Sequence, residues 1–376
     1  MEHRNTMKGK GNKKSEIVQY LFEHKNTSKT EMTKALNISM PTVLQNTKEL
    51  IEQGILIEVG EYESTGGRRA KTLALNGDAA YTVGLDITTD HINFVLLNLR
   101  GEILKHAGKE KSFTHSLDYY REVSEEMERF LDVWAVDRSR ILGVGIALPG
   151  IINDEENALQ KMLLKSHVLK LEGISLKIID QFFAYPVHFE NDANAALIAE
   201  SDRLEGDAIY LFLSNTVGAA FCVNGNLFVG NNRKAGEAGH MIVVPNGREC
   251  YCGKKGCVNT YCSVLAIKNQ TGLSLEEFME QVAEGCPAVM KVWDEFLEYL
   301  SITISNLRMM YDTDIILGGD MGAYLENYMF EMGKRLMKYN KDDIDISYLK
   351  NTTYKKGGAA AGAARYFIMK YIREIS

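Results

Sequence analysis

The chain has 376 residues, 45% of them hydrophobic and 25% charged, the balance of a globular protein of two or three domains with room for a large core. No run approaches the ~20 apolar residues that span a bilayer, and the opening MEHRNTMKGKGNKKSE lacks the apolar centre of a signal peptide, so a cytoplasmic location is expected. The net charge of −7 opposes nucleic-acid binding by the chain as a whole, yet residues 1–75 hold 12 Lys and Arg against 9 Asp and Glu, while the remainder hold 31 against 41. Any DNA contact therefore belongs to the N-terminal segment.

Residues 1–13 are polar, lysine-rich and without apolar periodicity, the composition of a flexible arm. Residues 14–76 read as a winged helix-turn-helix. Ile17, Val18, Leu21 and Phe22 keep helical spacing, a second short helix ends near Asn37, and Ser39 before Pro41 caps a third helix running to about Gln53. That helix is expected to bury Val43, Leu44, Leu50 and Ile51. It would turn Thr42, Gln45, Asn46 and Lys48 outward, where amides can pair with adenine edges and lysine with guanine or phosphate in a major groove. Two strands then flank a polar tip in which Arg68 and Arg69 follow two glycines, a pair suited to a minor groove. The same outward residues also suit an ordinary solvated face.

From Tyr81 onward strands alternate with helices, the pattern of an α/β protein. Two lobes, about 80–190 and 191–376, each open on a strand meander and frame a cleft, with the last helix able to return to the first lobe. Asn191 and Asp192 follow a strand and open a small-residue helix. Both suit a helix N-cap, and both equally suit hydroxyl recognition, with Asp192 as a general base. Six cysteines are too few for a disulfide scaffold in a chain this long. Cys250, Cys252 and Cys257 crowd into eight residues, with His240 close enough to supply a fourth ligand. Cys3His is a structural zinc set, and its filled tetrahedron leaves no open position for catalysis.

The winged helix, the Glu190-Asn-Asp-Ala-Asn segment, Gly236-Glu-Ala-Gly-His240 and the Cys-x-Cys-Gly-x-x-Gly-Cys run together resemble the ROK family of repressors and sugar kinases. The resemblance covers residues 80–376 as a bilobal, actin-like and hexokinase-like fold. It implies zinc on His240, Cys250, Cys252 and Cys257, and a sugar site lined by Asn191, Asp192, Glu237 and His240. In the family's kinases the residue matching Asp192 is the catalytic base. The phosphate turns depart from the family pattern: Thr88 stands where a glycine is usual, Asp90 adds a negative charge, and Ser214-Asn-Thr-Val-Gly218 keeps only the last of three glycines. Gly318 and Gly319 match the adenosine side but also suit a tight turn. Asn259 replaces a sugar-binding glutamate and is expected to alter the hydroxyl preference. The resulting expectation is a non-enzymatic, homodimeric or homotetrameric repressor of carbohydrate metabolism, xylose use included, that binds operator DNA and senses a small carbohydrate, with Asp192 a vestigial base. An ATP-dependent sugar kinase is the alternative.

Overall fold

The computed structural model describes residues 12–61, 71–154 and 160–376. Helix α1 (Lys13–His24) starts where the Asn12 side chain accepts from the Lys14 amide, and it buries Ile17, Val18, Leu21 and Phe22. A short strand β1 (Asn26–Ser28) leads into α2 (Lys29–Leu36), whose start is a reciprocal Ser28–Glu31 capping box. Asn37 ends α2 in the left-handed region, and Ser39 caps α3 (Met40–Glu52) through the Thr42 amide. Strands β2 (Leu56–Glu61) and β3 (Lys71–Leu75) pair antiparallel, and β1 joins on the far side of β3. This is a helix-turn-helix with a wing; the tip carrying Arg68 and Arg69 lies outside the described residues.

The expected inward face of α3 needs correction. Val43, Thr47 and Leu50 form the fully buried stripe, at i, i+4 and i+7, while Leu44 is 46% exposed and Ile51 only half-buried. Thr47 is tolerated there because its hydroxyl donates to the Val43 carbonyl at 2.7 Å.

The first lobe is built on strands β4 (Tyr81–Ile87), β5 (His91–Asn98) and β6 (Ile103–Glu110), helix α4 (Leu117–Val133) and strand β7 (Ile141–Leu148). A small sheet follows, β8 (Ile151–Asn153), β9 (Met162–Ser166) and β10 (Leu171–Ser175), then helix α5 (Lys177–Asp180) and strand β11 (Val187–Asn191). The main sheet runs β11-β7-β4-β5-β6, with β4 antiparallel to β5 and parallel to β7. Helix α6 (Asp192–Glu200) leaves directly from β11.

The second lobe holds β12 (Ala208–Leu213), β13 (Val217–Val223) and β14 (Asn226–Leu227), then helices α7 (Asn259–Cys262), α8 (Val264–Thr271), α9 (Leu275–Ala283) and the long α10 (Pro287–Tyr311). Strand β15 (Asp314–Gly318), helices α11 (Gly319–Leu325) and α12 (Met329–Tyr339) and strand β16 (Leu349–Asn351) complete it, in a sheet ordered β14-β13-β12-β15-β16. Trp293, Phe296 and Phe278 are buried in its core.

The final helix α13 (Gly358–Glu374) returns to the first lobe. Its Ala/Gly-rich sequence is a packing requirement, since it lies against backbone on two sides. A Cβ on Gly84 of β4 would stand 2.1 Å from the Ala360 oxygen, and one on Gly362 would stand 1.6 Å from the Ala195 oxygen of α6. Beyond that stripe, Ile368, Ile372 and Ile375 join Ile17, Leu21 and Phe22 of α1 in one continuous core. Lys14 also donates to the Ser376 carbonyl at 2.9 Å. Among the described residues no helix is long and apolar enough to cross a membrane.

Candidate functional site

A cavity of about 390 Å³ opens between the lobes and is lined by Asn191, Asp192, Glu237 and His240 together. Asn191 serves as both cap and wall. Its Oδ1 accepts from the Asn194 amide at 3.0 Å, while its Nδ2 donates to the Gly150 carbonyl and to Asp192 Oδ1, each at 3.0 Å. Asp192 opens α6, and its Oδ1 also accepts from the Ala193 amide at 2.9 Å. Burial, with Glu237 adding to it, pushes this carboxyl up to about 7 against the hydrogen bonds that favour its charge. Glu237 is raised as well, by burial, with His167, Lys234 and Lys254 opposing.

His240 joins this cavity to the cysteine cluster. The donor atoms of His240, Cys250, Cys252 and Cys257 all lie within 4.8 Å of one another. Sulfurs about 2.3 Å from a tetrahedral ion stand about 3.8 Å apart; Cys252 and Cys257 Sγ are 3.8 Å apart, and Cys250 Sγ is 3.7 Å from His240 Nδ1. Gly256 (φ +80°) permits the turn, since a Cβ there would sit 1.7 Å from the Val244 oxygen. Burial, helped by the two neighbouring thiols, pushes Cys250 up to about 12, so its thiolate needs a cation beside it. His240 is lowered to about 4 by burial, with Lys254 and His167 contributing, which keeps it neutral as a metal ligand must be. The donor set therefore fits a tetrahedral metal ion. With Nδ1 on the metal, the proton sits on Nε2, which lies 3.7 Å from Glu237 Oε2 and makes His240 a fixed donor on the cavity side.

Asn259 is placed differently from the expectation. It is buried rather than on the cavity wall: its Oδ1 accepts from the Val217 amide at 2.7 Å and its Nδ2 donates to the Tyr251 hydroxyl at 3.1 Å. A carboxylate could not make the second bond, whereas an amide makes both. Asn259 thus props Tyr251, which does line the cavity. Tyr251 and His167 are wall residues that sequence reasoning missed. Their rings pack around His240, at 5.3 Å for Tyr251 and 5.8 Å for His167. Nothing in the sequence marks His167, which follows β9 of the small sheet. Tyr251 sits inside the cysteine run and was overlooked because attention fell on the sulfurs.

The two would-be phosphate turns meet across the lobes. Asn215 Nδ2 donates to Asp90 Oδ1 at 3.1 Å and approaches Thr89 Oγ1 at 3.4 Å, while Thr88 Oγ1 accepts from the His91 amide at 3.0 Å. Burial opposes the charge of Asp90, but His91, Thr88 and Asn215 outweigh it and hold the carboxyl below its usual range. Asp86 nearby is pushed up to about 7 by burial and by Asp192 and Asp320, and its Oδ1 has no hydrogen-bond partner. Asp320, raised by burial, accepts from the Ser214 hydroxyl. Three carboxyls and a cross-lobe bridge make this region hostile to a polyphosphate. Gly318 and Gly319 have packing reasons of their own: a Cβ would stand 1.8 Å from the Tyr210 hydroxyl and 2.5 Å from the Leu213 oxygen respectively.

On α3, Gln45 and Lys48 are exposed, with Gln45 3.1 Å from Glu49 and Lys48 3.8 Å from Glu52. Thr42 and Asn46 are half-buried and turned onto their own helix: Asn46 Nδ2 donates to the Thr42 carbonyl at 2.8 Å, and Thr42 Oγ1 lies 2.8 Å from the Ser39 hydroxyl. Leu44 stands out beside them, an apolar group able to meet a thymine methyl.

Residues 82–370 match the ROK family. A xylose repressor of Caldicellulosiruptor bescii is 26% identical over 368 residues, covering 89% of this chain and 91% of that protein. The crystal structure of a ROK family transcriptional regulator, a homologue of the E. coli Mlc protein, superposes with a TM-score of 0.73 at 20% identity, covering 96% of this chain and 97% of that one. A ROK hexokinase from Thermus thermophilus gives 0.58 at 21% identity, covering 76% of this chain and 96% of the hexokinase.

Proposed function

The chain belongs to the ROK family, and on that footing we propose that it is a DNA-binding repressor of carbohydrate-metabolism genes whose kinase-like region senses a small carbohydrate. Residues 14–76 form the DNA head and 80–376 the sensor, working in the cytoplasm as a homodimer or homotetramer on a palindromic operator. Gln45 and Lys48, with Thr42 and Asn46 beside them, face the major groove, and Arg68 and Arg69 the minor groove. The xylose repressor covering nine-tenths of the chain supports this reading. The observation that carries it is the joint between head and sensor: α1 shares one core with α13, and α13 lies backbone to backbone on α6, the helix that begins at the cavity.

In this mechanism Asn191, Asp192 and Glu237 accept hydroxyl hydrogens of the carbohydrate, and His240 Nε2–H donates to a ring or hydroxyl oxygen. Zn2+ on His240, Cys250, Cys252 and Cys257 fixes that tautomer and holds the loop; with all four positions filled it has no catalytic role. Closure of the lobes displaces α6, and Arg365 of α13 is placed to pass the shift on. Its guanidinium donates to the Ala199 carbonyl at 2.7 Å, pairs with Asp202 and lies 5.3 Å over the Phe22 ring of α1. The carbohydrate shifts the DNA-binding equilibrium only by its differential affinity for the two arrangements.

The kinase reading rests on the hexokinase-like architecture alone, and the Asn215–Asp90 bridge opposes it. Selection of random duplex DNA by the purified chain tests the proposal: enrichment of a palindromic site supports it, while failure to enrich any sequence, together with ATP-dependent phosphorylation of a hexose or pentose, reverses it.

A further inference from the structure

Four cations from three segments converge on the wall of the interlobe cavity: Lys165 at the end of β9, Arg233 and Lys234 in the loop after β14, and Lys254 inside the cysteine run. Only two carboxylates line it, Asp192 and Glu237, and burial leaves Asp192 partly protonated near neutral pH. The cations are unequally engaged. Lys165 stands 3.7 Å from Glu172 on β10, and Arg233 donates to the Ile152 carbonyl. Lys254 donates to the His240 carbonyl at 2.8 Å and acts on the nearby thiols. Lys234 is exposed and makes no hydrogen bond or ion pair among the described residues; it acts on Glu237 through space. A doubly charged ion held by three thiolates leaves one net negative charge beside Lys254, and the wall still carries more positive than negative groups. This excess stands out in a chain whose net charge is −7. A concave wall of one sign concentrates ligands of the other.

We infer that the carbohydrate taken by this cavity is anionic, a sugar bearing a phosphate ester or a carboxylate, with its hydroxyls on Asn191, Asp192, Glu237 and His240 and its charge on Lys234. The inference rests on the carbohydrate-sensing reading above. The cavity of about 390 Å³ lies toward the small end of ligand pockets, ~300–1,000 Å³, and suits one monosaccharide with one charged substituent.

Calorimetric titration of the full chain with matched sets tests it: glucose and xylose, their phosphate esters, and the corresponding uronic or aldonic acids. At least one anionic member is expected to bind about tenfold tighter than its neutral parent, and Lys234→Gln to remove about that factor with the ligand-free melting temperature unchanged. Preference for the ester or for the acid identifies which anion is used. Neutral sugars binding as tightly as their charged counterparts, or unaltered affinity in Lys234→Gln, overturns the charge assignment and leaves the sensor standing. Binding of no member of any set overturns both.

Discussion

Replacing Arg365 with Met keeps much of the aliphatic packing of this side chain and deletes its charge. The residue is 3% exposed, so the Ala199 carbonyl it serves loses its donor in a dry place, at a cost of about 1–3 kcal/mol. Asp202 is 36% exposed and regains water, so its half of the ion pair adds only about 0–1 kcal/mol. The Phe22 contact adds about 1 kcal/mol, the middle of the range for a desolvated cation over an aromatic face. Urea unfolding should therefore register a loss near 3 kcal/mol, with the denaturant slope unchanged. Hydrogen exchange locates it: amides of α1 should lose protection in Arg365→Met while those of α10, in the other lobe, do not. A double-mutant cycle between Arg365→Met and Phe22→Leu should give a coupling of about 1 kcal/mol. Strict additivity, with α1 protection intact, would refute the role of Arg365 as the link between sensor and head.

Three further outcomes are expected. Metal analysis should find about one zinc per chain, and Cys252→Ser or prolonged chelation should lower the melting temperature; a metal-free, equally stable wild type would contradict the site. On selected operator DNA, Gln45→Ala and Leu44→Ala should each weaken binding by about 1–3 kcal/mol and relax preference at one base position, as anisotropy titration would report; unchanged affinity in both removes α3 from the groove. Asp86→Asn addresses the buried carboxyl at about 7. Because its folded pKa lies above the unfolded value of about 3.9, the wild type loses stability as pH rises from about 4 to 7, and the loss is complete above 7. The substitution should thus raise the melting temperature at pH 8 and do little at pH 4, and equal effects at both would exclude the titration.

Much of the head was legible because its signals are local: the Ser39 cap, Pro41 in the first turn and the spacing of Ile17, Leu21 and Phe22 each act within one turn of helix. Leu44 and Thr47 exchanged places because periodicity counts apolar residues, whereas a threonine bonded to the carbonyl four residues back can occupy a buried stripe. The cysteine cluster was legible from chemistry, as few other roles gather three thiols and two glycines into one loop. Asn259 was misjudged because its function depends on Val217, forty-two positions away, and on the Tyr251 hydroxyl. His167 reaches the cavity only through the fold of a small sheet, and the cationic wall assembles from segments far apart in the chain. The Ala/Gly character of α13 was visible, but its reason lies in the backbones of β4 and α6.

The shared core of α1 and α13 bears on how the protein can be taken apart. Head and sensor are consecutive in sequence, yet Ile17 and Leu21 are buried in the same cluster as Ile368 and Ile372, so no cut between Leu75 and Tyr81 separates two finished surfaces. An isolated head would expose that seam to water, and a sensor without it would carry a bare apolar helix. The head is thus no bead on a string: it rides α13 as a lever rides its axle, and its reach on DNA is set by where that helix points.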